Sequence, residues 1–369
     1  MDEQRRIRVA VVFGGRSSEH AISCISAGSV LSAIDRDRYD VVAVGITAQG
    51  RWVVERDDPE RLTITEGQLP AVDPTGDHVV LPGDPTHRGL QVRPADAAAG
   101  LLRDVDVVFP VLHGPWGEDG TIQGLLELAG IPYVGSGVFA SAAAMDKGHM
   151  KAVLRSGGLH VGPFELVTDA QWQSDRGRVL DRLAGLGMPV FVKPARAGSS
   201  VGITRVTDPA DLESAVEVAR QHDPRVIVEA GLTGIREVEC GVLDGPGGPR
   251  ASVCAEIVVR EGHDFYDFDA KYLDDAVDLI VPADLPEAVE RDVRAQAVAA
   301  FEALTCEGLA RVDFFVTADG QAIVNEVNTM PGFTSISMFP RMWQAAGLSY
   351  PQLVDHLIQD ALRRGTGLR

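Results

Sequence analysis

Apolar runs alternate with amphipathic stretches along the first third of the chain, and that rhythm predicts its architecture. Ile7 to Phe13 (IRVAVVF) is apolar throughout, as expected of a parallel strand buried on both faces. Gly14 and Gly15 break the run, and Ser17 to Ile34 then reads as a helix capped by Ser17 or Ser18. Asp40 to Val54 predicts a second strand and a hairpin, and Asp104 to Gly114 another buried strand ending on a His-Gly turn. Thr121 to Gly137 predicts a helix, a stop at Gly130 and a short strand. Strand and helix alternate to about residue 140, the pattern of an open parallel sheet with helices on its faces. Ligands of such sheets sit at the carboxyl ends of the strands. Glu19 and His113 both follow strand ends, so the topology places them at one cleft.

Between Asp57 and Pro94 the periodicity weakens into Pro, Gly and Asp with short pieces such as HVVLPG, which predicts an irregular or hairpin-bearing insertion. After Met145 the pattern becomes mixed α+β. A strand and glycine loop (PVFVKPARAGSSVGI) precede a helix from Asp208 to His222, the strand VIVEA and a run of strands to Val259. A helix from Leu285 to Leu304, the strands LARVDFFV and QAIVNEVN, and a terminal helix from Tyr350 complete the chain. There is no internal repeat.

Composition narrows the function. The chain has 369 residues, enough for two or three domains. It contains no apolar run of about 18 residues that could span a membrane. Its first residues are charged and lead into a strand, unlike a secretory leader, so a cytoplasmic location is expected. The formal charge of -19 argues against a sequence-independent grip on nucleic acid. A polyphosphate would then need a few local cations and metal. Cys24, Cys240, Cys254 and Cys306 are scattered without metal-ligand spacing and read as isolated reduced thiols.

Several stretches carry candidate chemistry. VKPARAGSSVG sets Lys193 at a strand end before a Gly-Ser-Ser loop, which suits a phosphate; taken alone, it fits an ordinary surface turn equally well. It is not a Walker A loop, because the lysine precedes the glycines. In RVDFFVTADGQAIVNEVN a short turn joins two apolar strands as a hairpin. Alternation puts Glu326 and Asn328 on one face, and the adjacent strand brings Asp313 beside them. Three hard oxygen ligands without His or Cys fit Mg²⁺ shared with phosphates, and Arg311 adds a cation beside them. Lys147 in MDKGHMK and Glu229 in VIVEAGL would separately read as surface charges.

Together these elements resemble an ATP-grasp ligase. GGRSSEHAIS, LHGPWGEDGTIQG, PYVGSGVFASAAAMDK, VKPARAGSSVG, FYDFDAKY and NEVNTMPGFTS, in that order, resemble the D-alanine:D-alanine ligase family from Val9 to the terminal helix. The resemblance implies an N-terminal parallel α/β substrate-binding domain over 1–140. A two-part ATP-grasp fold would follow, with a central subdomain over 141–235 and a C-terminal one with metal site and lid over 236–369. It implies that one D-alanine attacks the γ-phosphate of ATP and that the amine of a second D-alanine attacks the resulting acyl phosphate. ATP would be bound by Lys147 and Lys193 at its phosphates, by Ser200, and by Glu229 and Glu237 facing adenine and ribose. Asp313, Glu326 and Asn328 would bind two Mg²⁺ or Mn²⁺ ions, with a monovalent cation as a further candidate.

By the same resemblance, Glu19 faces the amino group of the first D-alanine, which explains a carboxylate in the turn that follows two glycines. His113 would lie near that substrate's carboxylate, and Lys271 and Ser337 would meet the carboxylate of the second. Arg311 and the Gly332 N–H would stabilise the tetrahedral oxyanion. Tyr272, on a lid between His263 and Asp275, would join Ser199 and Glu19 in a hydrogen-bonded triad. A homodimer is implied, and the Lys-Tyr pair favours the dipeptide product over D-alanyl-D-lactate. Ala21, Ile22 and Ala197 are mild departures that replace no catalytic position. The rivals are another ATP-grasp ligase, differing at Glu19, Tyr272 and Ser337, and a non-catalytic nucleotide-binding regulator, which would lose a metal ligand or Arg311. No G-x-G-x-x-G follows the first strand, which disfavours a dinucleotide-binding dehydrogenase.

Overall fold

A computed structural model describes residues 5–65, 67–81, 83, 85–86, 91–93, 100–101, 105–199, 201–259 and 277–367. Its strands fall into three sheets. The first contains β1 (Ile7–Gly14), β2 (Tyr39–Ile46), β3 (Trp52–Val54), β4 (His78–Val80), β5 (Gln91–Arg93), β6 (Gly100–Leu101) and β7 (Val107–Val111) in the order β6-β5-β4-β3-β2-β1-β7. β1 pairs parallel with β2 and with β7, the expected α/β unit. The Asp57 to Pro94 segment supplies strands β4 and β5, and the sheet runs antiparallel from β3 outward. These strands are two or three residues long, too short for a periodicity to show in sequence.

The second sheet is antiparallel, in the order β10-β9-β11-β8, from β8 (Phe164–Val167), β9 (Val190–Pro194), β10 (Thr204–Val206) and β11 (Val226–Ala230). The third is also antiparallel, β14-β13-β12-β15-β16, from β12 (Arg236–Leu243), β13 (Arg250–Val259), β14 (Val277–Ile280), β15 (Leu309–Val316) and β16 (Ala322–Asn328).

Ten α-helices are described: α1 (His20–Ala33), α2 (Thr121–Ala129), α3 (Val138–Met145), α4 (Lys147–Ser156), α5 (Asp169–Ser174), α6 (Arg176–Ala184), α7 (Leu212–Arg220), α8 (Glu287–Ala303), α9 (Met338–Ala345) and α10 (Tyr350–Arg364). Two local expectations are corrected. α1 begins at His20 with Glu19 as its N-cap residue and no side-chain cap, although Ser17 or Ser18 had the right chemistry. The Ser17 hydroxyl instead donates to the His113 carbonyl at 2.7 Å and accepts the Glu19 N–H at 3.2 Å, so it ties this turn to the end of β7. The short strand expected before Gly137 reduces to a single bridge between Val108 and Tyr133.

The largest apolar cluster joins β1, α1 and β7 to Phe333, Phe339, Trp343 and the inner face of α10. The end of the chain thus packs against the first sheet, and the loop before α9 comes with it. All four cysteines are buried free thiols. They are not all isolated as expected: Cys240 and Cys254 face each other across β12 and β13, and hydrogen bonding to Cys240 together with burial pushes the Cys254 thiol up. Among the described residues, no helix is long and apolar enough to cross a membrane.

Candidate active site

The parallel pairing of β1 with β7 brings their two carboxyl-terminal turns side by side, and Glu19 and His113 meet there as the topology requires. Gly14 and Gly15 have φ of +89° and +94°, and the Gly15 N–H bonds to the Ile46 carbonyl at 2.7 Å. This tight turn delivers Glu19 to the start of α1. The Glu19 carboxylate accepts a hydrogen bond from the Ser199 hydroxyl. Two glycines pack against it: a Cβ at Gly114, whose φ is +73°, would lie 2.5 Å from Glu19 Oε2, and one at Gly198 2.8 Å away. The Gly-Ser loop after β9 therefore reaches across to the first sheet, and Ser199 adopts φ of +47° to do so.

His20 is occupied with structure. Its Nδ1 bonds to the Gly15 carbonyl at 2.7 Å and its Nε2 accepts the Val72 N–H at 3.2 Å, which anchors the insertion to the glycine turn. His113 is buried, with Nδ1 donating to the Met330 carbonyl and Nε2 accepting from the Ser26 hydroxyl, each at 3.1 Å. Burial pushes its pKa down, against the pull of Glu19. It stands in the site as a neutral, oriented ring.

A second group of side chains comes from α4, β9 and β11. Asp146 caps α4 through the N–H groups of Gly148 and His149, which sets Lys147 at the first position. Lys147 Nζ donates to the Ala197 carbonyl at 2.9 Å and lies 3.6 Å from Glu326. Glu229 is held by Lys193 at 2.6 Å and by Lys151 at 2.8 Å. Burial would raise the Glu229 pKa, but the two ammonium groups more than reverse that and hold it far below the carboxylate range. Glu237, on β12, lines the same cavity.

The third group sits on β15 and β16. Register pairs Asp313 with Glu326 and Arg311 with Asn328, so the four project from one patch of sheet. Arg311 donates to both oxygens of Asp313 at 2.7 Å through Nε and Nη2, and its Nε lies 3.3 Å from Glu239. Burial disfavours the guanidinium charge, yet Asp313 and Glu239 hold its pKa well above normal. The Asn328 amide donates to Asp313 at 3.0 Å. Among the described residues no group of three or more His, Cys, Asp or Glu forms a metal cage. Two carboxylates and an amide oxygen are a hard donor set that suits Mg²⁺ only if other oxygens complete its shell.

All three groups line one cavity of about 860 Å³, within the range of a nucleotide site. Gly332 lies on its wall, where a Cβ would stand 3.3 Å from Ser337 Oγ. Ser337 Oγ also bonds to Thr334, through its N–H at 3.1 Å and its hydroxyl at 2.7 Å. Ser200, Lys271 and Tyr272 lie outside the described residues.

Comparison with known proteins now decides the family. The model of the D-ala D-ala ligase N-terminus matches residues 8–136 and that of the D-ala D-ala ligase C-terminus residues 153–359. The chain belongs to the D-alanine–D-alanine ligase family. A D-alanine–D-alanine ligase of Streptomyces coelicolor is 56% identical over 370 residues, covering 98% of this chain and 95% of that protein. The structure of VanG D-Ala:D-Ser ligase from Enterococcus faecalis superimposes with a TM-score of 0.82 at 35% identity, covering 97% of this chain and 100% of its own. That of the D-alanine-D-alanine ligase from Coxiella burnetii gives 0.78 at 34% identity, covering 97% and 94%. As a member of the D-alanine–D-alanine ligase family, the protein is an ATP-dependent ligase.

Glu239, Lys151 and Glu118, all charged residues of the cavity wall, were not among the candidates the sequence offered. Lys151 is four residues after Lys147 and therefore on the same helix face, a spacing that could have revealed it. Glu118 lies inside LHGPWGEDGTIQG, but nothing in the sequence says which carboxylate of that turn points inward.

Proposed function

We propose that this chain joins two D-alanine molecules, with ATP as phosphate donor, to make D-alanyl-D-alanine for peptidoglycan precursors. The observation that carries the reading is one cavity holding an amino-acid end and a phosphate end. Glu19, oriented by Ser199, offers a carboxylate to an ammonium group, and Lys147 with the Asp313, Glu326 and Asn328 patch offers charges and oxygen ligands to a nucleotide triphosphate.

The carboxylate of the first D-alanine, its ammonium on Glu19, attacks the γ-phosphorus of ATP. An oxygen–phosphorus bond forms, the bond to the β-phosphate oxygen breaks, and ADP leaves. The unprotonated amine of the second D-alanine, whose carboxylate is assigned to Ser337 and Lys271, then attacks the acyl carbon. Arg311 and the Gly332 N–H hold the oxygen on which charge develops, the attacking nitrogen gives up one proton to the departing phosphate, and collapse expels that phosphate. Asp313, Glu326 and Asn328 would hold two Mg²⁺ or Mn²⁺ ions, which neutralise charge on the transferring phosphate when bound. Lys193, Ser200, Glu229 and Glu237 are assigned to ATP, His113 to the first substrate and Tyr272 to closure over the acyl phosphate.

The three sheets support domain limits of 1–140, 141–235 and 236–369, and a cytoplasmic homodimer is the expected setting. The deciding experiment incubates the protein with ATP and Mg²⁺ and with D-alanine, L-alanine, or D-alanine plus D-lactate or D-serine, and identifies products by mass. Phosphate release that requires D-alanine and yields D-alanyl-D-alanine supports the reading. Turnover only with another acid or amine overturns it.

A further inference from the structure

Glu118 has no part in the chemistry above, yet it faces the cavity beside Glu19 and both of its oxygens are engaged by backbone. Oε2 accepts the Gly114 N–H at 2.6 Å, and Oε1 accepts the Met330 N–H at 3.2 Å. Gly114 follows His113 at the end of β7, whereas Met330 lies beyond β16 on the loop that leads to Pro331 and Gly332. His113 completes the clamp, because its Nδ1 donates to the carbonyl of the same Met330. The residue before Pro331 is therefore held at its N–H and at its C=O by two side chains of the first sheet's turn. Proline fixes its own φ, so few torsions remain between this clamp and the Gly332 N–H.

The turn that carries Glu118 is itself constrained. Gly114 has φ of +73° and Trp116, a bulky residue, has φ of +68°. Asp119 accepts the Trp116 N–H at 2.8 Å, and the Glu118 N–H closes back on the Gly114 carbonyl at 2.9 Å. A left-handed tryptophan persists only where its surroundings over-determine it. Here the result is a carboxylate aimed inward although burial, and then the field of Glu19, push its pKa up to about 8.

We propose that Glu118 is a positioning residue for ligation, its carboxylate stapling the turn after β7 to the Met330–Gly332 loop and so aiming the Gly332 N–H at the developing oxyanion. The inference rests on the ligation reading above. It adds a requirement that ATP binding does not share, because the staple lies at the amino-acid end of the cavity.

The test compares wild type with E118A, E118D and E118Q. For each, kcat, the KM for ATP, the ratio of phosphate released to dipeptide formed, and the thermal midpoint are measured. E118A should lose at least tenfold in kcat with the KM for ATP changed less than twofold, and its phosphate-to-dipeptide ratio should rise above one. E118D, too short to reach both N–H groups, should behave alike. E118Q keeps one oxygen acceptor and should fall between E118A and wild type. Wild-type kcat and coupling in E118Q and E118A would overturn the inference, as would a loss of rate that only follows the unfolded fraction. Should E118A not fold, E118Q decides by the same criteria. Wild-type protein that makes no dipeptide sinks the ligation reading itself; active wild type with indifferent variants sinks only the role of Glu118.

Discussion

Arg311 and Asp313 form a bidentate pair, and that geometry makes sharp demands on single residues. A lysine ammonium cannot reproduce a planar fork that reaches two oxygens, so under the proposed oxyanion role of Arg311, R311K should lower kcat by about 10²- to 10³-fold. Steady-state kinetics checks this, with the KM for ATP nearly unchanged. Glu326→Gln removes a proposed ligand charge. Changes outside a metal's ligand set typically cost about 10- to 100-fold, so this one should cost about 10²-fold or more, read as activity across a Mg²⁺ titration. The Asp313, Glu326 and Asn328 patch was legible in sequence because oxygen-bearing side chains on alternate strand positions carry their own signal, and the strand order placed Glu19 and His113 at one cleft, whereas Lys147 stood out only through the family resemblance. Glu118 was not legible, nor was the ion pair that Lys151 makes with Glu229, because each depends on a partner from a distant part of the chain.

At the scale of elements, the two glycines packed against Glu19 tie loop conformation to the position of its carboxylate. G114A meets both a 2.5 Å contact and a φ of +73°. It should destabilise the protein by about 1–3 kcal/mol and displace Glu19, seen as a lower thermal midpoint together with a raised KM for D-alanine. G198A keeps an allowed backbone, so its effect should fall mainly on KM. The long elements were readable: β1, β7, α10 and the β15–β16 hairpin have strong apolar periodicity or clear end signals. The start of α1 was misread because Ser17 spends its hydroxyl on the His113 carbonyl, a partner 96 residues away that local capping rules cannot see.

For the molecule as a whole, Phe333 is the join between the Met330–Gly332 loop and the first core. Its ring is fully buried and meets Phe109 edge-on at 5.9 Å between centroids, and Tyr350 donates to its carbonyl at 2.6 Å. F333A should cost about 3–5 kcal/mol in chemical denaturation. Protonation reports on the same region. His113 is neutral in the fold because burial lowers its pKa from the ordinary 6.5, so below that pH the unfolded chain binds a proton that the folded one refuses. Stability therefore falls as pH drops below about 6.5, by up to about 1.4 kcal/mol per pH unit from this one group. H113Q should flatten that slope in denaturation curves between pH 6.5 and 5.

The central claim is that one substrate carboxylate passes through an acyl phosphate in this cavity. D-alanine labelled with ¹⁸O in its carboxylate tests it directly, by mass analysis of the phosphate released during dipeptide formation. The account predicts one ¹⁸O in phosphate for each dipeptide made. Dipeptide formed with unlabelled phosphate would contradict it.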